Sequence, residues 1–293
     1  MTQNTLKKVE TYCVPLMDHR IRLSDVAAGT FKTIQSRKGF KSAIKNSLVT
    51  LNGKMARTAD YISGGEIIEL FQNPIHNKKP SIALNLKVIF EDDYLAIVQK
   101  PPGIVVSGNR KYTLENALAY NVAKSTQEDA LYRPEPVHRL DYPTSGLLLI
   151  GKTSFALIAL NKLFEEKSIQ KTYHAVTIGF MTDHGIIEAP IENKKAKTTF
   201  KVLKRIESRK YESLNLVKLM PSTGRKHQIR IHLASIGSPI LGDSTYGKEG
   251  FIGQGNGLYL HASKLSFMHP LTSQQISKRI PLSKKILKLF PDD

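Results

Sequence analysis

Residues His138–Thr153 read HRLDYPTSGLLLIGKT, and two incompatible structures compete for them. Gly146, Gly151, Lys152 and Thr153 match the phosphate-loop pattern G-x-x-x-x-G-K-[ST], whose variable residues must be free to turn backbone N–H groups toward an anion. Here those positions are Leu147, Leu148, Leu149 and Ile150, an apolar run typical of a buried strand, and a strand commits its amides to neighbouring strands. The strand that should precede such a loop is also missing, because the residues before Gly146 are His-Arg-Leu-Asp-Tyr-Pro-Thr-Ser. The stretch is therefore read as a loop carrying Arg139 and Asp141, a turn from Pro143 to Gly146, and a buried strand. A carboxylate on a loop at the mouth of a strand is a common place for chemistry.

The surrounding chain is strongly basic. It has 293 residues, with 43 Lys and Arg against 25 Asp and Glu, a formal net charge of +18. An excess of this size, spread along the sequence, points to a polyanionic partner, most often nucleic acid. No basic amphipathic helix with a broad apolar face stands out, no stretch approaches the roughly 18 apolar residues of a membrane span, and the N-terminus MTQNTLKK lacks a signal-peptide core. Cys13 is the single cysteine and cannot form an internal disulfide, which suits a reducing compartment, so a cytoplasmic location is expected. Metal chemistry is not expected: His227 and His232 are five apart, His261 and His269 eight apart, and no acidic or thiol ligands complete a site.

The length allows one large domain and a small one. In the N-terminal part, Arg20–Phe31 and Ser36–Asn46 have helical character, and Leu48–Leu51, Asn52-Gly53 and Glu66–Leu70 read as strand, tight turn and strand. Arg37, Lys38, Lys41 and Lys45 share one side of the second helix, while Phe40, Ala43 and Ile44 face inward. From charge alone, an RNA-binding face and a solvated helix face are equally supported. The segment QNPIHNKKPSI, 72–82, reads as a linker.

Beyond it, Val88–Val98 reads as a hairpin, Ile104–Val106 as a further extended piece, and Leu114–Lys124 and Phe155–Glu166 as helices. Tyr173–Gly179, Thr199–Ile206 and Leu214–Met220 read as strands, and His227–Ile236 has helical spacing. Strands outnumber helices and short turns join them, which predicts an α+β fold with a mixed, mainly antiparallel sheet and peripheral helices.

Four stretches combine polar groups with this frame. They are HRLD with Asp141, QKTYHAV with Lys171 and Tyr173, TGRKHQIRIH with Arg225, Lys226 and Arg230, and LYLHASKLSFMHP with histidines at both ends. Each has a bland reading: Asp141 as a turn former before Pro143, Tyr173 as a core aromatic, Arg230 as a surface arginine.

Taken together and in order, HRLD-x-x-TSG at 138–146, KTYHAV at 171–176, TGRKHQIRIHLASIGSPILGD at 223–243 and LHASKLSFMHP at 260–270 resemble the RluA family of RNA pseudouridine synthases. The likeness begins at VIFEDDYLAIVQKPPGIVV and covers nearly all of residues 86–270. His138 and the HQIR sequence favour this family over the related RsuA family, while Tyr142-Pro143 replace a pair that is often charged. In the module at 20–70, Ser36-Arg37, Phe40, Ile44, Val49, Leu51, Asn52-Gly53 and the closing GGEIIEL resemble the S4 RNA-binding domain over roughly fifty residues, with Ser47 where that family usually has glycine.

The resemblance implies a pseudouridine synthase fold at 83–293, a linker at 72–82, and an S4-like domain with an N-terminal extension at 1–71. It implies an isomerase that breaks the uridine N1–C1′ bond, rotates the base and joins C5 to C1′ without an external cofactor. Asp141 matches the essential carboxylate, and attack on the ribose, addition to the base and removal of a sugar proton all stay open for it. Arg230 matches the basic residue that pairs with that aspartate, and Tyr173 the aromatic residue that stacks on the target base. Arg139 matches an arginine that fills the space left by the extruded nucleotide, and Arg225 and Lys226 are expected to contact phosphates. Large-subunit ribosomal RNA is the expected substrate and a monomer the expected state; transfer RNA and a non-catalytic RNA-binding or ribosome-assembly role are the alternatives.

Overall fold

The computed structural model describes residues 6–26, 30–31, 33–34, 36–72, 80–248, 250–251 and 257–291. Its first part contains β1 (Lys7–Cys13), β2 (Ile21–Arg22), α1 (Arg37–Lys45), β3 (Val49–Leu51), β4 (Lys54–Met55), β5 (Tyr61–Ile62) and β6 (Ile67–Gln72). A four-stranded sheet runs in the order β1-β6-β3-β4, and β2 pairs with β5 apart from it. The helix expected at Ser36–Asn46 is α1, with Ser36 as its N-cap accepting from the Gly39 amide. Phe40, Ala43 and Ile44 are buried as expected, in one core with Val49, Ile68 and Leu70.

The helix expected at Arg20–Phe31 is not formed. Ile21 and Arg22 are extended, Leu23–Asp25 make one 3-10 turn, Val26 leaves the helical region, and residues 27–29 lie outside the described set. The apolar spacing of Leu23, Val26 and Phe31 served burial of three anchors rather than a helix face. Most of the expected linker, 73–79, also lies outside the described residues.

The second part holds β7 (Lys87–Glu91), β8 (Leu95–Lys100), α2 (Leu114–Asn121), β9 (Ala130–Pro136), β10 (Ser145–Thr153), α3 (Ser154–Glu165), β11 (Gln170–Ile178), β12 (His184–Ile187), β13 (Thr198–Ser208), β14 (Glu212–Pro221), α4 (Gln228–Ser235), β15 (Leu260–Met268), β16 (Gln275–Arg279) and α5 (Lys284–Leu289). A ten-stranded sheet runs β12-β13-β14-β11-β15-β10-β8-β7, with β9 and β16 attached to β10 and β15. The α+β architecture with a mainly antiparallel sheet is as the sequence predicts. Ile104–Val106 differs: it makes only an isolated bridge, and the Val105 and Val106 carbonyls accept the Leu114 and Glu115 amides at the start of α2. Those amides have no partner within the helix, so this segment works as a cap rather than a strand.

All nine residues of β10 are buried. Leu148 and Ile150 join Ala96 and Val98 in one core, while Leu147 and Leu149 join Leu95 and Ile97 in another on the opposite face. A strand covered on both faces needs apolar residues at every position, which explains the Leu-Leu-Leu-Ile run. The residues of the phosphate-loop match are engaged elsewhere. Lys152 Nζ bonds Glu91 Oε1 at 2.8 Å, and the Thr153 hydroxyl caps α3 by accepting from the Ala156 amide at 3.1 Å.

Near the middle of the sheet, β10 and β15 pair in parallel through Ser145–His261 and Gly146–Ala262, whereas the other described ladders are antiparallel. A Cβ on Gly146 would collide with the Ala262 backbone nitrogen, carbon and oxygen, and Gly146 has φ +127°, so only glycine fits. Ser145 Oγ bonds His261 Nδ1 at 2.8 Å across the same junction.

Three helices end in the same way. After α1, α3 and α4, Ser47, Lys167 and Gly237 take positive φ of 56°, 60° and 76°. In each the next amide reaches back, Leu48 to Ala43, Ser168 to Leu163 and Ser238 to Leu233, at 2.9 to 3.0 Å. This is a Schellman cap, whose left-handed position favours glycine. Ser47→Gly and Lys167→Gly are each expected to raise stability by about 0.5–1 kcal/mol, since the left-handed strain of a Cβ outweighs the added chain entropy. Denaturant unfolding checks this, and a loss of stability in both variants would contradict it.

Candidate active site

Asp141 lies on the loop that enters β10, and its backbone oxygen accepts from the Thr144 amide at 3.0 Å, closing a turn. Lys100, at the end of β8, is wholly buried beneath this loop and donates to the carbonyls of Pro101, Tyr142 and Thr144 at 3.0, 3.2 and 2.7 Å. Burial lowers its pKa to about 8, against the field of Asp141, which leaves it mostly charged at neutral pH. The loop is thus held through its backbone, with the Asp141 carboxylate one quarter exposed.

Arg230 reaches it from α4. The helical spacing of residues 227–236 is realised in α4, where Ile229 and Arg230 are both buried. Arg230 Nη1 lies 3.6 Å from Asp141 Oδ2, a loose contact. Its other edge is held much more tightly: Nε and Nη2 donate to the two oxygens of Asp243 at 2.7 and 2.8 Å. Asp243 also accepts from the backbone amides of Thr245 and Tyr246. Burial opposes the charge of Arg230, but the Asp243 hydrogen bonds and the fields of Asp243 and Asp141 raise its pKa overall. Burial likewise opposes ionisation of Asp243, and Arg230 with the two amides lowers it overall. The pair is therefore ionised, and one guanidinium serves two carboxylates.

The chain just before α4 completes this wall. His227 has φ 55°, its Nε2 lies 3.9 Å from Asp141 Oδ1, and its Nδ1 bonds the Tyr246 hydroxyl at 2.9 Å. Burial lowers its pKa against the pull of Asp141, with Arg230 and Lys226 lowering it further, so a neutral imidazole faces the carboxylate. The Tyr246 ring lies 5.0 Å from the Arg230 guanidinium carbon, a cation–π contact.

Tyr173, on β11, packs between two cores, and burial together with the charge of Asp141 raises its phenol well above the usual range. It stays protonated and apolar-faced at neutral pH. His138 is structural: its Nε2 accepts from the Leu149 amide at 3.1 Å, and burial, reinforced by Lys171, lowers its pKa to about 3.

The structure brings Asp141, Arg230 and Tyr173 together. Arg139 is exposed on the same loop, and Arg225 and Lys226 are exposed immediately before His227. Arg37, Lys38, Lys41 and Lys45 belong to α1, and among the described residues no hydrogen bond or ion pair links them to the Asp141 loop; Arg37 pairs instead with Asp25. Sequence reasoning missed Asp243, the tight partner of Arg230, although it closes the quoted 223–243 motif. An aspartate after Leu-Gly reads as a turn residue, and only the fold carries it back across thirteen positions. His227, Tyr246 and Lys100 were missed for the same reason.

A family model described as RNA pseudouridylate synthase matches residues 94–235, which contain Asp141, Tyr173 and Arg230. A ribosomal large subunit pseudouridine synthase D from Buchnera aphidicola is 33% identical over 97% of this chain and 98% of its own length. The chain belongs to the RluA-type family of RNA pseudouridine synthases. An uncharacterized RNA pseudouridine synthase from Aquifex aeolicus is 37% identical over 80% of this chain and 82% of its own. The structure of human RNA pseudouridylate synthase domain containing 1 superposes with a TM-score of 0.57 at 24% identity, over 69% of this chain and 85% of that one, which supports the fold. The family model leaves the small sheet before residue 94 outside its match.

Asp243→Asn keeps the size of the side chain and removes its charge. It is expected to cost about 3–5 kcal/mol, the penalty for leaving a buried guanidinium without its partner. A surface pair would cost less than about 1 kcal/mol, so urea unfolding separates the two cases.

Proposed function

We propose that this pseudouridine synthase modifies uridines in large-subunit ribosomal RNA, with Asp141 as the group that acts on the target nucleotide. The observation that carries the reading is the pairing of a partly exposed carboxylate with a buried guanidinium that a second carboxylate holds in place. A carboxylate aimed in this way is placed for either a nucleophilic or a general-base role. Attack on the ribose, addition to the base and abstraction of a sugar proton all use this same carboxylate.

The other assignments follow from position. Tyr173 offers a protonated, apolar-edged ring against which a flipped base stacks. Arg139, exposed two residues before Asp141, fills the gap that the base leaves and offsets the few kcal/mol that extrusion costs. Arg225 and Lys226 contact phosphates. The small sheet with α1 acts as an S4-like RNA-binding domain ahead of a catalytic domain at 83–293, and Lys38, Lys41 and Lys45 with Arg37 add affinity. The protein works as a cytoplasmic monomer. Relatives named as large-subunit synthases D and C support the ribosomal substrate over transfer RNA.

Pseudouridine mapping of ribosomal and transfer RNA tests this in cells lacking the protein and in cells carrying Asp141→Ala. Both strains are expected to lose the same one or few large-subunit positions. Loss confined to transfer RNA would move the substrate, and no loss in either strain would contradict the reading.

A further inference from the structure

Beside the Asp141 site, a group of cations without acidic partners stands on a pre-shaped frame. Between β12 and β13 the chain makes a tight hairpin, in which Ile191 and Lys194 exchange both backbone hydrogen bonds at 3.0 Å. Glu192 and Asn193 between them take φ of 49° and 59°. Two consecutive left-handed residues form the kind of turn whose twist matches a hairpin, so this tip is ordered without a ligand. Ile191 and Ala196 are buried at its base, and Lys194 and Lys195 are exposed.

The hairpin is joined to the loop that leads into α4. The Lys195 carbonyl accepts from Arg225 Nε at 3.1 Å, and the Lys197 amide donates to Thr223 Oγ1 at 3.0 Å. Gln228, buried between the loops, donates from Nε2 to the Lys197 carbonyl at 2.9 Å. Its Oε1 accepts from the Thr223 hydroxyl at 2.7 Å and from the Arg225 amide at 3.0 Å. Both ends of one amide therefore tie two loops into a single rim.

Lys194, Lys195, Arg225 and Lys226 crowd this rim, and among the described residues none has a carboxylate within ion-pair distance. Lys197 shows the contrast, since it is paired with Glu188 at 2.7 Å. Like charges held together repel, which costs stability and raises affinity for a polyanion. The rim also leads straight inward, because His227 follows Lys226 and lies 3.9 Å from Asp141. Arg225 has its Nε committed to Lys195, which leaves the far edge of the guanidinium for a phosphate.

We infer that the 191–195 hairpin and the 223–226 loop form one phosphate clamp, with Lys194 and Lys195 as backbone contacts that grip RNA beside the target uridine. The inference rests on the chain acting on RNA as proposed above. Its separate content is a binding surface on the hairpin, a part of the chain that carries none of the sequence motifs.

The test uses the full chain carrying Asp141→Ala, so that turnover does not disturb binding, and an in vitro transcript of large-subunit ribosomal RNA. Affinity is read by filter binding from about 50 to about 200 mM salt. Adding Lys194→Ala and Lys195→Ala is expected to reduce the slope of log affinity against log salt by roughly 1.4–1.8, the amount for two lost phosphate contacts. Across that fourfold range of salt, the loss of affinity then shrinks by about tenfold. Arginine at both positions should restore the slope. Lys284→Ala with Lys288→Ala on α5 removes the same charge and should leave it unchanged.

An unaltered slope in the hairpin variant overturns the clamp, as does an equal change in the α5 control, which would reduce the effect to net charge. If the hairpin variant lowers the slope but the wild-type chain converts no uridine, the enzymatic reading fails and the clamp stands.

Discussion

The contact on which the molecule turns is the approach of Gly146 to Ala262. Here β10 meets β15 in parallel, and the ladder joins the half of the sheet carrying β8 and β7 to the half carrying β11, β14, β13 and β12. The backbones come so close that any Cβ at Gly146 would strike Ala262. Because β10 begins there, the loop before it opens at the seam, and Asp141 is delivered to the side of the sheet where α4 and the 243–246 turn present Arg230. Tyr173 on β11 pairs with Ala262 itself, so the same seam places the aromatic wall. The seam that joins the two halves of the sheet therefore also positions the site.

Within the site, geometry decides how the charges act. Arg230 gives two hydrogen bonds to Asp243 and only a 3.6 Å approach to Asp141. The tight pair is the structural one, since a buried guanidinium left alone would cost several kcal/mol. The loose pair leaves the Asp141 carboxylate one quarter exposed, with its oxygens free of a close charge-assisted hydrogen bond to Arg230. His227 adds no competing charge because burial keeps it neutral, and Lys100 fixes the loop by carbonyls without touching the carboxylate.

Much of this was legible in the sequence, for identifiable reasons. The Leu147–Ile150 run between glycines read as a buried strand because both its faces are covered, and the period of residues 227–236 read as a helix because one face of α4 packs inward. Asp141, Tyr173 and Arg230 stood out through four ordered motifs, not through any one residue. The Asp243 pairing was not legible, since it depends on a turn brought back by tertiary structure. Nor was the 3-10 turn at Leu23–Asp25, because apolar spacing of three residues serves either helix type. The strand β1 escaped because its residues, KKVETYC, alternate weakly and pair at a sheet edge. Ser47 was noted only as an exception to a glycine, and the left-handed cap after α1 explains why glycine suits that position.

The central claim is the proposal that the Asp141 carboxylate, aimed by Arg230, performs the isomerisation with no added cofactor. Joining C5 of the base to C1′ releases the hydrogen of C5, so RNA labelled with tritium at uridine C5 reports the reaction directly. Purified protein mixed with labelled large-subunit ribosomal RNA in plain buffer should release tritium to water, and Asp141→Asn should bind the same RNA and release none. No release by the wild-type chain, or release by Asp141→Asn at the wild-type rate, would contradict the account.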